Sequence, residues 1–336
     1  MQGGNEKMVA ALRRELVKRG KNVDVVNIPF QWYPPQRLID ECMIWRLLDI
    51  SESDGERIDM VIATKFPSTV VKHPDKRIWL VHQYRPVYDL YGTEFGDAFR
   101  EELAFSDENK KIKELITNID NVTLSEARRI FTISNNVSLR LKKFNNIDSP
   151  PLYPPPDNRE RFHTESYGDY ILSVCRLDAK KRIPLLIEAF KYVKTAAKCI
   201  VVGSGKERES LERQVISMGV GNKIKFMGFL SDADVLSLYA NAFAVFYAPY
   251  DEDYGFSTVE ALLSSKPILT TQDAGGVLEF VNHGENGIVC STETQDIADK
   301  IDWLYTHKQE CSKMGSLGFE FVRGLTWDRV IERLVD

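Results

Sequence analysis

With 336 residues the chain is too long for one small core and long enough for two domains. Hydrophobic residues at 43% and charged residues at 28% exclude a disordered polymer, and a net charge of −5 excludes a general nucleic-acid binder, whose phosphate contacts need a basic surface. No apolar run approaches the roughly 20 residues of a membrane-spanning helix, and the cysteines, Cys42, Cys175, Cys199, Cys290 and Cys311, form no CxxC pair, which fits reduced thiols better than disulfides or zinc.

From the N-terminus, Met8, Leu12 and Leu16 predict a helix over 5–20, opened by Gly3-Gly4 and stopped by Gly20. The segment shows no signal-peptide layout, so a cytoplasmic location is expected, with peripheral contact at the inner face of a membrane left open. Apolar runs predict strands over 23–28 (VDVVNI), 60–64, 78–82 and 130–134, with a polar helical stretch from about 97 to 118. In a parallel-sheet domain a strand leads into the glycine turn. Here the turn nearly begins the chain, so that strand is expected to be missing and the first sheet to carry a gap; the alternative is that Gly3 and Gly4 are a loose end. The run 148-DSPPLYPPPDN-158 predicts a stiff connector. Beyond it, strands over 170–175, 199–203, 224–228, 243–249 and 267–271 alternate with helices over 183–194, 206–219 and 232–242, a helix carrying Glu260, and a glycine-opened helix over 275–284. Helices close the chain, the last over 326–335 with Trp327, Val330, Ile331 and Leu334 on one face. The expected fold is therefore α/β, with two doubly wound parallel-sheet (Rossmann-like) domains facing a cleft: 1–150, 151–322, and a terminal helix over 323–336 packing back at the domain junction.

The stretch 250-YDEDYGFSTVEALL-263 holds the most chemistry. It places Glu252 after a strand, Gly255 at a helix start and Glu260 inside the helix. The helix N-terminus favours an anion such as a diphosphate, and each carboxylate suits a vicinal diol. Two alternatives stand beside this. Ser257-x-x-Glu260 reads as a capping box, and Asp251-Glu252-Asp253 reads as an Asp-x-Asp that holds a cation. Arg176 and Lys181 follow a strand and offer positive charge to a diphosphate; a solvated basic loop is the other reading. Gly203-Ser204-Gly205-Lys206 follows a strand but lacks the spacing of a dinucleotide or Walker loop. His82 ends the 78–82 strand, where an imidazole transfers a proton or serves structure. Basic residues cluster at Arg13, Arg14, Lys18 and Arg19, and at Arg140, Lys142 and Lys143, as anionic-lipid contacts or as ordinary solvated faces.

Together these segments resemble the GT-B glycosyltransferases, in particular glycosyltransferase family 4. The resemblance runs from 170-YILSVCRLDAKKRIPLLIEAF-190 through 201-VVGSGKERESL-211 and 225-KFMGFLSDADVLSLYANA-242 to 251-DEDYGFSTVEALLSSKPILTTQDAGGVLEFV-281, with a Glu-x7-Glu signature at Glu252 and Glu260. It is looser before residue 150, through Gly3-Gly4, 82-HQYRPVYDL-90 and 131-FTISNNVSLRLKKF-144. The resemblance implies a retaining, metal-independent hexosyltransferase of polysaccharide-type biosynthesis. Its donor would be a UDP- or GDP-sugar and its acceptor a hydroxyl of a glycan or lipid-linked molecule, with no cofactor. It implies that Arg176 and Lys181 bind the donor diphosphate, that Glu252 contacts the transferred sugar, and that Glu260 holds the ribose. Gly255, Phe256 and Ser257 would meet sugar and phosphate, Gly203, Gly205, Gly3 and Gly4 would border the donor, and His82 would lie near sugar and acceptor. Arg182 stands where the family commonly has glycine. A catalytically silent nucleotide-sugar-binding subunit, or another GT-B enzyme such as an epimerase or phosphorylase, remains open.

Overall fold

The computed structural model describes residues 3–336. The chain divides into two compact units, one comprising the chain up to Leu12 together with Pro155–Thr326, the other Arg13–Pro154 together with Trp327–Asp336.

Helix α1 (Gly4–Lys18) and α2 (Arg37–Leu47) come first, then a short antiparallel hairpin of β1 (Glu52–Ser53) and β2 (Glu56–Arg57). A three-stranded parallel sheet follows in the order β3 (Val61–Lys65), β4 (Lys76–His82), β5 (Arg129–Thr132). It packs with α3 (Asp107–Ser125) and α4 (Asn135–Asn145). Ser106 caps α3 by accepting from the Asn109 amide, and Ser134 caps α4 by accepting from the Val137 amide. The expected strand over 23–28 is absent, and Val25 and Val26 are exposed. An extended segment becomes a strand only where another strand's edge takes its amides, and among the described residues none does so here. The structure also shows α2, which the sequence reading passed over.

The other unit holds a six-stranded, all-parallel sheet in the order β11-β10-β9-β6-β7-β8. The strands are β6 (Tyr170–Val174), β7 (Lys198–Val202), β8 (Ile224–Gly228), β9 (Ala244–Phe246), β10 (Ile268–Thr271) and β11 (Gly287–Cys290). Strands β9 and β10 are buried throughout, as a sheet covered on both faces requires. The helices are α5 (Ile183–Ala189), α6 (Arg208–Ser217), α7 (Asp232–Asn241), α8 (Phe256–Leu263), α9 (Thr294–Thr306) and α10 (Lys308–Val322).

Two sequence expectations are corrected in this unit, and one strand was missed. Helix α5 stops at Ala189 instead of reaching 194, and the Lys194 and Thr195 amides donate to the Asp302 carboxylate. The helix expected over 275–284 is one 3-10 turn, Gly276–Glu279, because Gly275 turns at φ 63° and Asn286 binds the backbone at Phe280 and Asn282. Strand β11 was not foreseen, since four residues at a sheet edge give too short a pattern. Helix α11 (Trp327–Leu334) packs into the Arg13–Pro154 unit, with Trp327 edge-on to Trp79 and the Leu334 and Val335 carbonyls accepting from Arg77.

Candidate functional site

Strand order fixes where a site forms. From β6 the chain steps to β7 and β8 on one side, then returns to β9, β10 and β11 on the other. The carboxyl ends of β6 and β9 therefore flank the topological switch point, where doubly wound sheets bind ligands. Arg176 and Lys181 follow β6, and Tyr247 to Glu252 follow β9.

Lys181 is largely buried, and its Nζ donates to the Tyr247 hydroxyl at 3.1 Å and to the Glu252 carboxylate. Burial alone would push the ammonium's pKa down, but the adjacent Glu252 and Tyr247 more than reverse this, so Lys181 stays charged. Arg176 is different: its side chain is 62% exposed and meets Asp178 at 3.4 Å.

Helix α8 begins beside them. Gly255 is its N-cap at φ 88°, and a Cβ there would lie 2.9 Å from Val277 Cγ2 and 3.1 Å from Tyr247 Cε1, so glycine is required for both torsion and space. The first turn of α1 meets this helix start, since a Cβ on Gly4 would lie 2.9 Å from the Phe256 ring. Two helix N-termini, with their positive dipole ends, thus converge next to Tyr247, a neighbour of Lys181. That arrangement suits a diphosphate.

Ser257 does not form the capping box. Its hydroxyl donates to the Val174 carbonyl at 2.7 Å and ties α8 to the end of β6. Glu260 accepts instead from the buried Tyr239 hydroxyl at 3.0 Å. Burial raises the Glu260 pKa, while the Tyr239 hydrogen bond and the Lys7 ammonium work against that rise. Gly203 and Gly205 are accounted for by close backbone approach: a Cβ would fall 1.9 Å from the Cys175 carbonyl oxygen and 2.2 Å from that of Leu177. They let the loop after β7 press against the loop carrying Arg176.

His82 ends β4 in the other unit, with Nδ1 2.6 Å from the Gln83 carbonyl oxygen, so Nδ1 carries its proton. The basic clusters are altered by their partners. Arg140 is buried against Asp89, Lys142 pairs with Asp148, and Lys18 and Arg19 pair with Glu15. Among the described residues no group of three or more His, Cys, Asp or Glu side chains converges as cation ligands, and no helix is long and apolar enough to cross a membrane. Tyr239 and Tyr247 were missed by the sequence reading. They lie in segments whose apolar patterns explain them as core, and only the contacts of their hydroxyls give them a further role.

Residues 156–320 match the family model described as glycosyl transferases group 1. The chain is 30% identical over 196 residues to a probable sucrose-phosphate synthase of Thermosipho melanesiensis, covering 53% of this chain and 44% of the relative. Its fold matches the sucrose-phosphate synthase structure from Thermosynechococcus elongatus with a TM-score of 0.76 at 18% identity, over 98% of this chain and 92% of the other. It also matches Anabaena HepE in complex with UDP-glucose, with a TM-score of 0.62 at 20% identity, over 77% and 71% of the two chains. A mannosylfructose-phosphate synthase of Agrobacterium fabrum is 23% identical over 84% of this chain and 64% of its own. The chain thus spans less than two thirds of the length of these curated relatives.

Proposed function

We propose, from the match of residues 156–320 to the glycosyl transferases group 1 model and from the GT-B fold, that the protein is a glycosyltransferase that takes its sugar from a nucleotide-diphosphate donor. One observation carries the reading. At the switch point, Lys181 is held by Glu252 and Tyr247 in front of the α8 N-terminus, with Glu260 one turn further on.

In this reading Arg176, Lys181 and the α8 amides stabilise the leaving diphosphate, the largest charge developed in the transition state. Glu252 accepts from hydroxyls of the transferred sugar, and Glu260 from those of the ribose. The bond from the anomeric carbon to the diphosphate oxygen breaks as the acceptor oxygen bonds to that carbon. The acceptor's proton passes to the departing diphosphate oxygen on the same face, so configuration is retained. The positive charge comes from side chains and amides, and the proposal assigns no metal. The resemblance implies a role for His82 in the transfer, and His82→Ala tests it through the transfer rate.

Calorimetry with UDP-glucose and GDP-mannose, followed by transfer and hydrolysis assays, decides the matter. Binding with turnover and a retained anomer supports the proposal. Binding without turnover favours the silent subunit, and no binding of any nucleotide sugar removes the donor reading.

For the acceptor, a lipid-linked hydroxyl is favoured by one surface. Phe30, Trp32 and Tyr33 are exposed, as are Met43, Ile44 and Leu47 on α2, and the Gln31 amide donates to Glu41 of that helix. Aromatic and aliphatic side chains exposed together in this way suit the interfacial layer of a membrane at the inner face of a cell. Co-sedimentation with liposomes is expected and should weaken on Trp32→Ser with Leu47→Ser; unchanged partitioning would leave a soluble glycan as the acceptor.

A further inference from the structure

Arg182 follows Lys181 and stands at φ 49°, ψ 37°. This left-handed conformation strains a residue with a Cβ and favours glycine. The side chain shows what holds it there. Nε donates to the Ala248 carbonyl at 2.9 Å, and Nη1 to Asp273 Oδ2 at 2.7 Å. Nη2 lies 2.9 Å from the Pro249 carbonyl, 2.8 Å from Thr271 Oγ1 and 2.8 Å from Asp273 Oδ1.

These acceptors lie on the segment that follows β9, on the last residue of β10 and just beyond it, and backbone bonds stitch the same segments together. The Asp251 amide donates to the Asp273 carbonyl at 3.0 Å, Glu252 to Ala274 at 3.2 Å, and Gly276 back to Glu252 at 2.7 Å. The Tyr250 amide donates to the Lys180 carbonyl at 2.8 Å, which joins this frame to the turn bearing Lys181 and Arg182. Gly275 and Gly276 allow the approach, since a Cβ on either would fall within 2.7 Å of Glu252 or Asp253 backbone atoms. The planar guanidinium sits among four protein groups that a single ammonium could not satisfy together. Its two-nitrogen fork is filled by Asp273, so it is not a phosphate grip.

We propose that Arg182 is a positioning residue of the donor site: it clamps the 248–252 loop to the 271–276 loop and so fixes where the Glu252 carboxylate stands. The proposal rests on the donor reading above for its function, but the clamp itself is a property of the apo chain. It yields a selective signature. Glu252 is assigned to the sugar, so losing the clamp should weaken a nucleotide sugar far more than the bare nucleoside diphosphate.

The test compares the wild type with Arg182→Gly, which relieves the left-handed torsion, and Arg182→Lys, which keeps the charge. Each is titrated with UDP-glucose and UDP, and with GDP-mannose and GDP. Both variants should lose about 10-fold or more in nucleotide-sugar affinity and less than about 3-fold in diphosphate affinity. Methylguanidinium should restore part of the loss in Arg182→Gly. Equal losses for both ligand types, or none, overturn the proposal. Hydrogen exchange is read on the same proteins without ligand. The Asp251, Glu252 and Gly276 amides should exchange about 10-fold faster in Arg182→Gly while the protection of the rest of the sheet is kept; unchanged exchange there overturns the clamp. If the wild type binds neither nucleotide sugar, the donor reading fails, and the exchange experiment still decides the clamp.

Discussion

Arg176 and Lys181 carry the same charge in unlike surroundings. Lys181 is committed to Glu252 and Tyr247, whereas Arg176 is mostly in solvent beside Asp178. An exposed pair of that kind adds about 0–1 kcal/mol to stability. Arg176→Ala should therefore leave the melting temperature nearly unchanged while lowering kcat about 10²-fold and weakening the donor, as loss of a charge-stabilising donor does. Steady-state kinetics against donor concentration checks this, and an unaltered kcat removes Arg176 from the mechanism. Glu260 gives a prediction in pH. Its raised pKa means that donor affinity falls as pH drops through that value, because a protonated carboxyl accepts less well from the ribose. Tyr239→Phe deletes the hydrogen bond that opposes the rise, so the acid limb of the donor-binding profile should move to higher pH. A limb that stays in place would mean that Glu260 is not the titrating group. Gly255→Ala should cost about 1–3 kcal/mol in chemical denaturation, from the torsion and from contact with Val277.

Among elements, α3 carries a carboxyl into the core. Asp120 is buried, accepts from the Tyr88 hydroxyl at 2.6 Å, and is raised by burial from 3.8 to about 7 despite that bond. The folded state thus holds the proton more tightly than the unfolded chain. This contribution to stability is fully present below about pH 4 and is lost as pH rises to about 7. Asp120→Asn keeps an acceptor for Tyr88 without the charge. It should flatten that part of the stability-versus-pH curve and raise stability at pH 8 by on the order of 1 kcal/mol or more. Denaturant melts from pH 4 to pH 8 check it. Elements were legible where their residues explain themselves: 224–228 is a strand as expected, and 232–242 is a helix shortened by one residue at its end. They were not legible where a neighbour decides. The segment 23–28 has strand composition but pairs with no strand among the described residues, and 275–284 has helical composition but gives its backbone to Asn286.

At the scale of the molecule, sequence order and spatial grouping part company. The chain up to Leu12 joins the Pro155–Thr326 unit, and α11 returns to the Arg13–Pro154 unit. In that second unit Trp327, Val330, Ile331 and Leu334 are buried, and Arg77 binds the final carbonyls of α11. Trp327→Ala should destabilise the Arg13–Pro154 unit by about 3–5 kcal/mol, as large aromatic truncations in cores do. Domain-resolved hydrogen exchange should show faster opening of β4 and β5 with β6 to β10 little changed; uniform loss across both sheets would refute this assignment.

The sequence by itself determined the alternation of strands and helices, the parallel sheet beyond the proline run, and the candidate donor residues. Period, apolar runs and Gly or Ser at element ends are local signals that one chain segment carries whole. The tertiary structure alone decided the strand order that puts β6 beside β9, the pairing of Lys181 with Glu252 and of Glu260 with Tyr239, and the five hydrogen bonds that occupy Arg182. Those partners lie far apart along the chain, and a hydrogen bond between distant residues leaves no pattern in either one's neighbourhood. A guanidinium in a basic run reads as solvated until the carbonyls that surround it are placed.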